Sequence, residues 1–541
     1  MSMRFFLVTG VIFPLMAFAI SDEDFSNIQQ ALRKVECPTV KSEVTSFDDE
    51  KPLAFQPSNG DETRYADKRA SFNKGLSHQP SGFPDVQAFN LMVKALQTGN
   101  QADLNAIPIG IGARKLANPQ ASLAFSLAAN DSWINTIPSA PSFSSAETAG
   151  EMVEVYCTAL VRDVAFNAFD SDSTVAEAIG YLNQLTDFRG PKANGEVTPD
   201  TFLRGNTPGD LVGPYISQFL YLPIDYGNAT ISQGILETPM ATTDNDFLTT
   251  FGDWLTVQNG GVTGKAIIPD GEHFIRTPRD LTEYVHQDTP GQASLNALLI
   301  LQSFVDKYGV TVLDPNNPYN SNPTQEGFVT FGISHVLSLV RNAVHEGLKA
   351  AWYHKWQVNR RLRPEEYGFY VHEQVANGVQ LGIHPDLINS PVLPSIMATF
   401  GTYFLPTAYP EGSPVHPSYP AGHATFIGAA VTILKAFFNG DFEIPDPMTL
   451  NSGNTALEPF IGAPLTVEGE LNKLAANISL GRDHAGVHYR SDGMQGMLLG
   501  EKVAIDVLNN EAFLFHEDFA GFHLTKFDGT KIIVGAKKIT P

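Results

Sequence analysis

Two stretches, residues 281–308 and 328–362, carry apolar side chains at helical spacing over many turns, and little of the chain alternates in the two-residue rhythm of a half-buried strand. This pattern commits the chain to helices packed on helices. A turn-rich run at 314–323 separates the two stretches. Pro364 ends the second, because proline removes a backbone donor and clashes with the preceding turn. Met152, Val155, Tyr156, Ala159, Leu160 and Val164 give residues 145–187 a helical face, and residues 423–438 and 488–508 read as further helices. Residues 38–85 are polar and are expected to wrap the surface, and residues 187–214 have the Gly, Pro, Asn and Asp content of a long loop. The tail alternates about Asp528-Gly529 and reads as a small hairpin over 524–534. The expected fold class is all-α, a large helical-bundle protein with minor β-hairpins. No composition break marks a linker, so residues 20–541 read as one large domain with its chemistry between 330 and 505.

The formal net charge of −23 argues against nucleic acid or an anionic membrane as partner. A site for an anion therefore needs a local basic pocket that reverses the global field. Residues 1–19 have the form of an export signal: Arg4, an apolar run over 5–18, and the small-x-small Ala17-Phe18-Ala19. The run is short for a membrane span and is broken by Pro14. The expectation is a secreted protein, extracellular or periplasmic, with no membrane attachment after cleavage. Cys37 and Cys157 either pair in that oxidising setting or are unrelated thiols. Asn130, Asn228 and Asn477 match the glycan acceptor pattern, which also recurs by chance.

Three segments carry chemistry. Lys355 and Arg363 lie eight residues apart near the end of a predicted helix. At ~100° per residue they differ by roughly 80° and can lean to one side. An ammonium and a guanidinium fork both suit an anion with several oxygens, although a run holding Lys355, Arg360, Arg361 and Arg363 is, alone, an ordinary solvated helix face. Pro420-Ala421-Gly422-His423 runs into an apolar helix, whose start offers N–H donors and a positive dipole end. His423 stands there as a candidate acid–base, with His416 seven residues earlier. Arg482 and His488 are six apart with Gly481 and Gly486 beside them, so a broken helix lets both converge. Asp492, four after His488, can hold and orient its imidazole.

In this order, Lys…Arg-Pro, Pro-x-Gly-His and Arg-x5-His-x3-Asp, the segments resemble the superfamily that unites vanadium-dependent haloperoxidases with type 2 phosphatidic acid phosphatases. The Lys355–Arg363 and His416–His423 spacings resemble the brown-algal bromoperoxidase type more closely. So do the phrases at 114–121 (RKLANPQA), 213–221 (GPYISQFLY) and 284–288 (YVHQD). The resemblance spans about residues 110–505 and implies two four-helix bundles and a vanadate cofactor. His488 would bond vanadium. Lys355, Arg363, Arg482 and the Gly422 N–H would hold the oxygens. His423 would accept a proton from incoming peroxide, His416 and Trp352 would line the halide path, and Asp492 would orient His488. Ala421 stands in the same anion-binding turn where the family normally has serine. The implied activity is oxidation of bromide and iodide by hydrogen peroxide to a hypohalous acid equivalent that halogenates small organic acceptors. A homo-oligomer, dimer or larger, is implied as well. Two other readings share the motifs: an acid phosphatase with His488 as nucleophile, and a secreted pseudoenzyme that keeps an anion-binding or structural role.

Overall fold

Helices dominate the computed structural model, which describes residues 56–535. Those of eight residues or more are α1 (Val86–Thr98), α2 (Ala146–Val161), α3 (Ser173–Leu182), α4 (Phe251–Gln258), α5 (Pro278–Gln287), α6 (Gln292–Tyr308), α7 (Ile333–Tyr353), α8 (Pro364–Ala376), α9 (Val392–Phe400), α10 (Gly422–Phe437), α11 (Val467–His484) and α12 (Arg490–Ala512). Many begin where a short polar side chain accepts a first-turn N–H: Asp85, Ser145, Asp172, Thr250, Thr277 and Thr466. Each such cap contributes about 1 kcal/mol and fixes the start of its helix. The strands β1 (Ile224–Tyr226), β2 (Ala229–Ile231), β3 (Ile235–Pro239), β4 (Pro269–His273), β5 (Met448–Leu450), β6 (Leu457–Pro459), β7 (Phe522–Thr525) and β8 (Lys531–Val534) pair consecutively as antiparallel two-stranded ribbons. The tail hairpin is β7–β8, with Leu524 opposite Ile532.

The helices share two main apolar cores. One gathers Val340 and Val344 of α7, Phe426 and Ile433 of α10, Leu474 and Ile478 of α11, and Leu499 and Val503 of α12, with α5 and α6 packed against them. The other gathers Met152 and Tyr156 of α2, Val175 and Leu182 of α3, Phe369 and Tyr370 of α8, and Leu393 and Ile396 of α9. Two separate helical cores agree with the helical-bundle fold class the resemblance implies. The described residues all fall within the unit Leu53–Pro541, and no helix among them is long and apolar enough to cross a membrane.

α10 and α12 meet backbone to backbone. A Cβ on Gly500 would come within 2.1 Å of the Thr425 carbonyl oxygen, and one on Gly428 within 2.6 Å of the Met497 carbonyl oxygen. Glycine is required at both positions. The approach lets the Ala421 N–H, at the head of α10, donate to the Asp492 carbonyl in the first turn of α12 at 2.8 Å.

Several elements differ from the sequence pattern. Residues 281–308 hold two helices, because Asp288 turns extended after α5 and Gly291 is left-handed (φ 84°) before α6. α7 starts only at Ile333 and ends in one π-helical turn, His354–Asn359, followed by left-handed Arg360 (φ 34°). Pro364 does begin a helix as well as close a stretch: it occupies the first position of α8, where its missing N–H costs nothing. Residues 56–85 do not simply wrap the surface. Residues 71–76 are buried, with Lys74 paired to Glu365. Asn477 is no glycan site: it is buried on α11, accepting from Ser217 N and donating to Tyr215 O. The Cys157 thiol is buried against Ala178 O, while Cys37 and the export signal at 1–19 lie outside the described residues.

Candidate active site

The π-helical turn after α7 widens the helix by one residue and re-aims Lys355 inward. Its ammonium is fully buried and donates to the carbonyls of Pro417 (2.7 Å) and Ser418 (2.8 Å). Arg363 is the N-cap of α8 and is also fully buried. It donates to Val487 O (2.7 Å) and His416 O (3.0 Å), and its remaining N–H groups face His488 Nε2 (2.8 Å) and His416 Nδ1 (2.9 Å). The basic run is therefore not a solvated face. Arg361 too is buried, bridging Glu151 of α2 and Asp492.

His488 lies in the turn between α11 and α12. Its Nδ1 meets Asp492 Oδ2 at 2.9 Å. Asp492 sits in the first turn of α12 with both carboxylate oxygens engaged: Oδ2 accepts from Ser418 Oγ, from His488 and from Tyr489 N, and Oδ1 from Arg361. A carboxylate so fixed selects the Nδ1–H tautomer of His488 and leaves Nε2 as a lone pair facing Arg363. Burial first, then Arg363, Lys355 and Arg482, hold His488 well below the ordinary imidazole range, so the ring is neutral and a competent ligand.

His423, in the first turn of α10, places Nε2 3.0 Å from Asp288 Oδ1 at the end of α5. Burial and then Arg482 lower its pKa. With Nε2–H on Asp288, Nδ1 is the basic ring atom. The His416 and Trp352 rings stand 4.8 Å apart, and Trp352 Cζ3 lies 3.3 Å from where a Gly422 Cβ would project. Gly422 keeps that approach to the head of α10 open. Ala421 has no donor to offer: its N–H is taken by Asp492 O, and its buried methyl leaves α10 without a side-chain cap.

Arg482, in the last turn of α11, donates to Val285 O (2.7 Å) and to the Tyr409 hydroxyl (3.3 Å), yet its buried Nε has no partner among the described residues. Arg363 and Arg482 both depress Lys355 after burial itself, and Arg363 is drawn down to about 10 by burial, with Arg482 adding to it. These are like charges crowded around one point. Asp492, the carboxylate that opposes them, already accepts from four donors. A compact oxyanion supplies the missing negative charge and a partner for Arg482 Nε. A lone-pair nitrogen beside it makes the donor set that of a metal oxyanion, and vanadate fits.

Comparison with known proteins bears on this geometry. The vanadium-dependent bromoperoxidase of Corallina officinalis is 34% identical over 563 residues, covering 88% of this chain and 92% of its own length. The chain belongs to the vanadium-dependent haloperoxidase family. The vanadium-dependent bromoperoxidase of Ascophyllum nodosum is 34% identical over 89% of this chain and 90% of its own. The family model for the VCPO second helical-bundle domain matches residues 335–517, the segment that holds Lys355, Arg363, Gly422, His423, Arg482, His488 and Asp492. The homohexameric structure of the second vanadate-dependent bromoperoxidase from Ascophyllum nodosum superposes with a TM-score of 0.85 at 28% identity, covering 95% of this chain and 91% of that one.

Within this family site, sequence reasoning assigned no role to Asp288, Ser418 or Arg361. Asp288 lies in the quoted phrase 284–288 but faces His423 across 135 residues. Ser418 lies between the two histidines of the 416–423 segment. Arg361 was indistinguishable by type from an exposed basic residue until Glu151 and Asp492 closed on it.

Proposed function

We propose that this protein is a vanadium-dependent bromoperoxidase, oxidising bromide, and iodide more easily, with hydrogen peroxide to a hypohalous acid equivalent that halogenates small organic acceptors. The observation that carries the proposal is Arg363 set 2.8 Å from the neutral Nε2 of His488, with Lys355 and Arg482 near enough to hold that imidazole down and Arg482 Nε without a partner among the described residues. Vanadate, when bound, supplies a Lewis-acidic V(V) centre that polarises peroxide toward halide without changing valence. His488 Nε2 would bond the metal, and Asp492 would keep that atom's lone pair in place. Lys355, Arg363, Arg482 and the N–H groups at the head of α10 would hold the oxygens. Preorganised donors of this kind stabilise developing charge without reorganising. His423 takes the proton of incoming peroxide at Nδ1, and Asp288 stabilises the imidazolium so formed. His416 and Trp352 border the site beside Arg363, where a halide approaches a positive wall.

The test strips the protein with a chelator at low pH, restores it with vanadate, and follows bromide- and peroxide-dependent halogenation of a dye beside hydrolysis of a phosphate ester. The proposal requires dye halogenation only after vanadate and competition by phosphate. Full bromide oxidation by stripped protein, or ester hydrolysis in its place, refutes it. Two further points belong to the same proposal. The signal-like residues 1–19 support secretion, checked by N-terminal sequencing of protein from the medium. The homohexameric relative supports a homo-oligomer, checked by sedimentation.

A further inference from the structure

Within the phrase 284–288, Asp288 faces His423, while His286 has no part in the reaction proposed above. It stands in the last turn of α5 and reaches Arg482 through one aromatic ring. The imidazole lies flat on Tyr409, with ring centroids 3.9 Å apart and planes 11° from parallel. The buried Tyr409 donates its hydroxyl proton to Thr282 O (2.7 Å) and accepts at the same oxygen from Arg482 Nη1 (3.3 Å). The Arg482 guanidinium carbon stands 5.2 Å from the centroid of that ring. Arg482 Nη1 also donates to the carbonyl of Val285, the residue before His286. The guanidinium is thus held by the end of α5 and by the ring that His286 covers.

His286 is itself held at both ring nitrogens. Nε2 meets Glu411 Oε1 at 2.8 Å, and Nδ1 lies 3.5 Å from Glu283 Oε2 and 3.4 Å from Gln287 Nε2. Glu283 is three residues earlier on α5, and Glu411 is two residues after Tyr409 in the loop before α10. An imidazolium has an N–H for each carboxylate, whereas the neutral ring has only one. Burial alone would lower its pKa, but Glu283 and Glu411 outweigh burial and push it up to about 9. The other charges nearby are Lys74, which donates to Glu411 O, and Arg482 beyond Tyr409. Because the folded value lies above the ordinary 6.5, the cation is complete at neutral pH and is lost as pH rises through about 9.

We infer that His286 is a positioning residue for vanadate binding: as a cation bridging Glu283 to Glu411 it ties the Tyr409 loop to α5, and the stacked ring fixes the Arg482 guanidinium at the oxyanion site. Charge on the imidazole also strengthens its hold on the ring face. Loss of the proton leaves one carboxylate without its N–H, loosens the stack and takes lateral support from Arg482. The inference rests on the oxyanion site of the proposed bromoperoxidase and adds an alkaline limit to its grip on vanadate.

The experiment titrates stripped full-length protein with vanadate by calorimetry across a pH series, beside the variants His286→Gln and Glu411→Gln. Ratios between proteins at one pH cancel the titration of vanadate itself. His286→Gln is expected to bind vanadate about 5- to 20-fold more weakly than the unmodified protein near neutral pH, and within about twofold of it a full unit above the imidazole pKa, where both side chains are neutral. Glu411→Gln removes one of the two carboxylates, so the pH at which affinity falls should move down by about one to two units. A His286→Gln deficit of the same size at every pH shows a structural role alone and overturns the inference, as does no deficit at neutral pH. Should His286→Gln fail to fold, Glu411→Gln decides: an unmoved alkaline fall overturns the inference. Absence of vanadate binding, or of bromide oxidation by the unmodified vanadate-loaded protein, instead refutes the bromoperoxidase reading, so the two failures are separable.

Discussion

Ala421→Ser tests how the oxyanion is held. Ala421 is the N-cap of α10 with extended backbone (φ −67°, ψ 128°), the conformation in which a serine places Oγ over its own helix start. A hydroxyl there has two uses at once. Its lone pair accepts a first-turn N–H, worth about 1 kcal/mol of stability. Its proton is left to donate to the anion, worth about 1.5–3 kcal/mol because the acceptor is charged, or roughly 10- to 150-fold in affinity. The assay is a vanadate titration of stripped protein, read by return of bromide oxidation and independently by calorimetry, beside thermal melts without vanadate. The expected outcome is tighter vanadate binding together with a modestly raised melting temperature. A raised melting temperature with unchanged affinity would show a hydroxyl that caps α10 and nothing more. Weaker binding would show that Oγ occupies space the anion needs; either result would refute the reasoning.

Three other outcomes are expected. Vanadate at 100 times its Kd should stabilise the protein by about 2.7 kcal/mol, and His488→Ala should abolish both that gain and peroxidase activity; a full vanadate-induced melting shift in the variant would count against His488 as ligand. Acid should destabilise the fold through buried histidines. Burial, with Lys502 adding to it, takes His354 to about 4, and burial, with Arg490 and Arg162, takes His484 to about 3. Both folded values lie below the unfolded 6.5, so the unfolded chain binds protons first and stability, complete above about pH 7, is lost as pH falls from 6.5 toward 3. The linkage amounts to up to about 3 kcal/mol for His354 and about 5 for His484, and denaturant melts of His484→Gln should show a shallower loss across that window. Finally, Gly500→Ala should cost about 1–3 kcal/mol by overpacking and should weaken vanadate binding although it touches no site residue; calorimetry reads both effects.

Local spacing made much of the centre legible. Lys355 and Arg363, Gly422 and His423, and His488 and Asp492 each lie within one short segment, so helix geometry and loop breaks constrain them before any tertiary contact forms. Asp288 was not legible as His423's partner, because only the packing of α5 against α11 brings the end of α5 to the head of α10. α11 was missed for a different reason. Nearly every residue of Val467–His484 is buried, including Glu470, Asn472, Lys473 and Asn477, so the helix has no polar face to set a period. Its polar side chains are spent on surrounding loops: Glu470 accepts from Gln218 N, and Lys473 donates to Val212 O. Arg361 illustrates the limit most clearly, since its residue type points outward while the carboxylates that bury it come from α2 and α12.

The missing side chains between α10 and α12 set the gauge of the reaction centre. Because Gly428 and Gly500 let two main chains touch, the distance between His423 on one helix and the His488 turn ahead of the other is fixed by atoms that are not there. On the proposed function, filling the interior along that line spreads the two helix heads and loosens the hold on the oxyanion, so thermal robustness is to be sought in the second core instead.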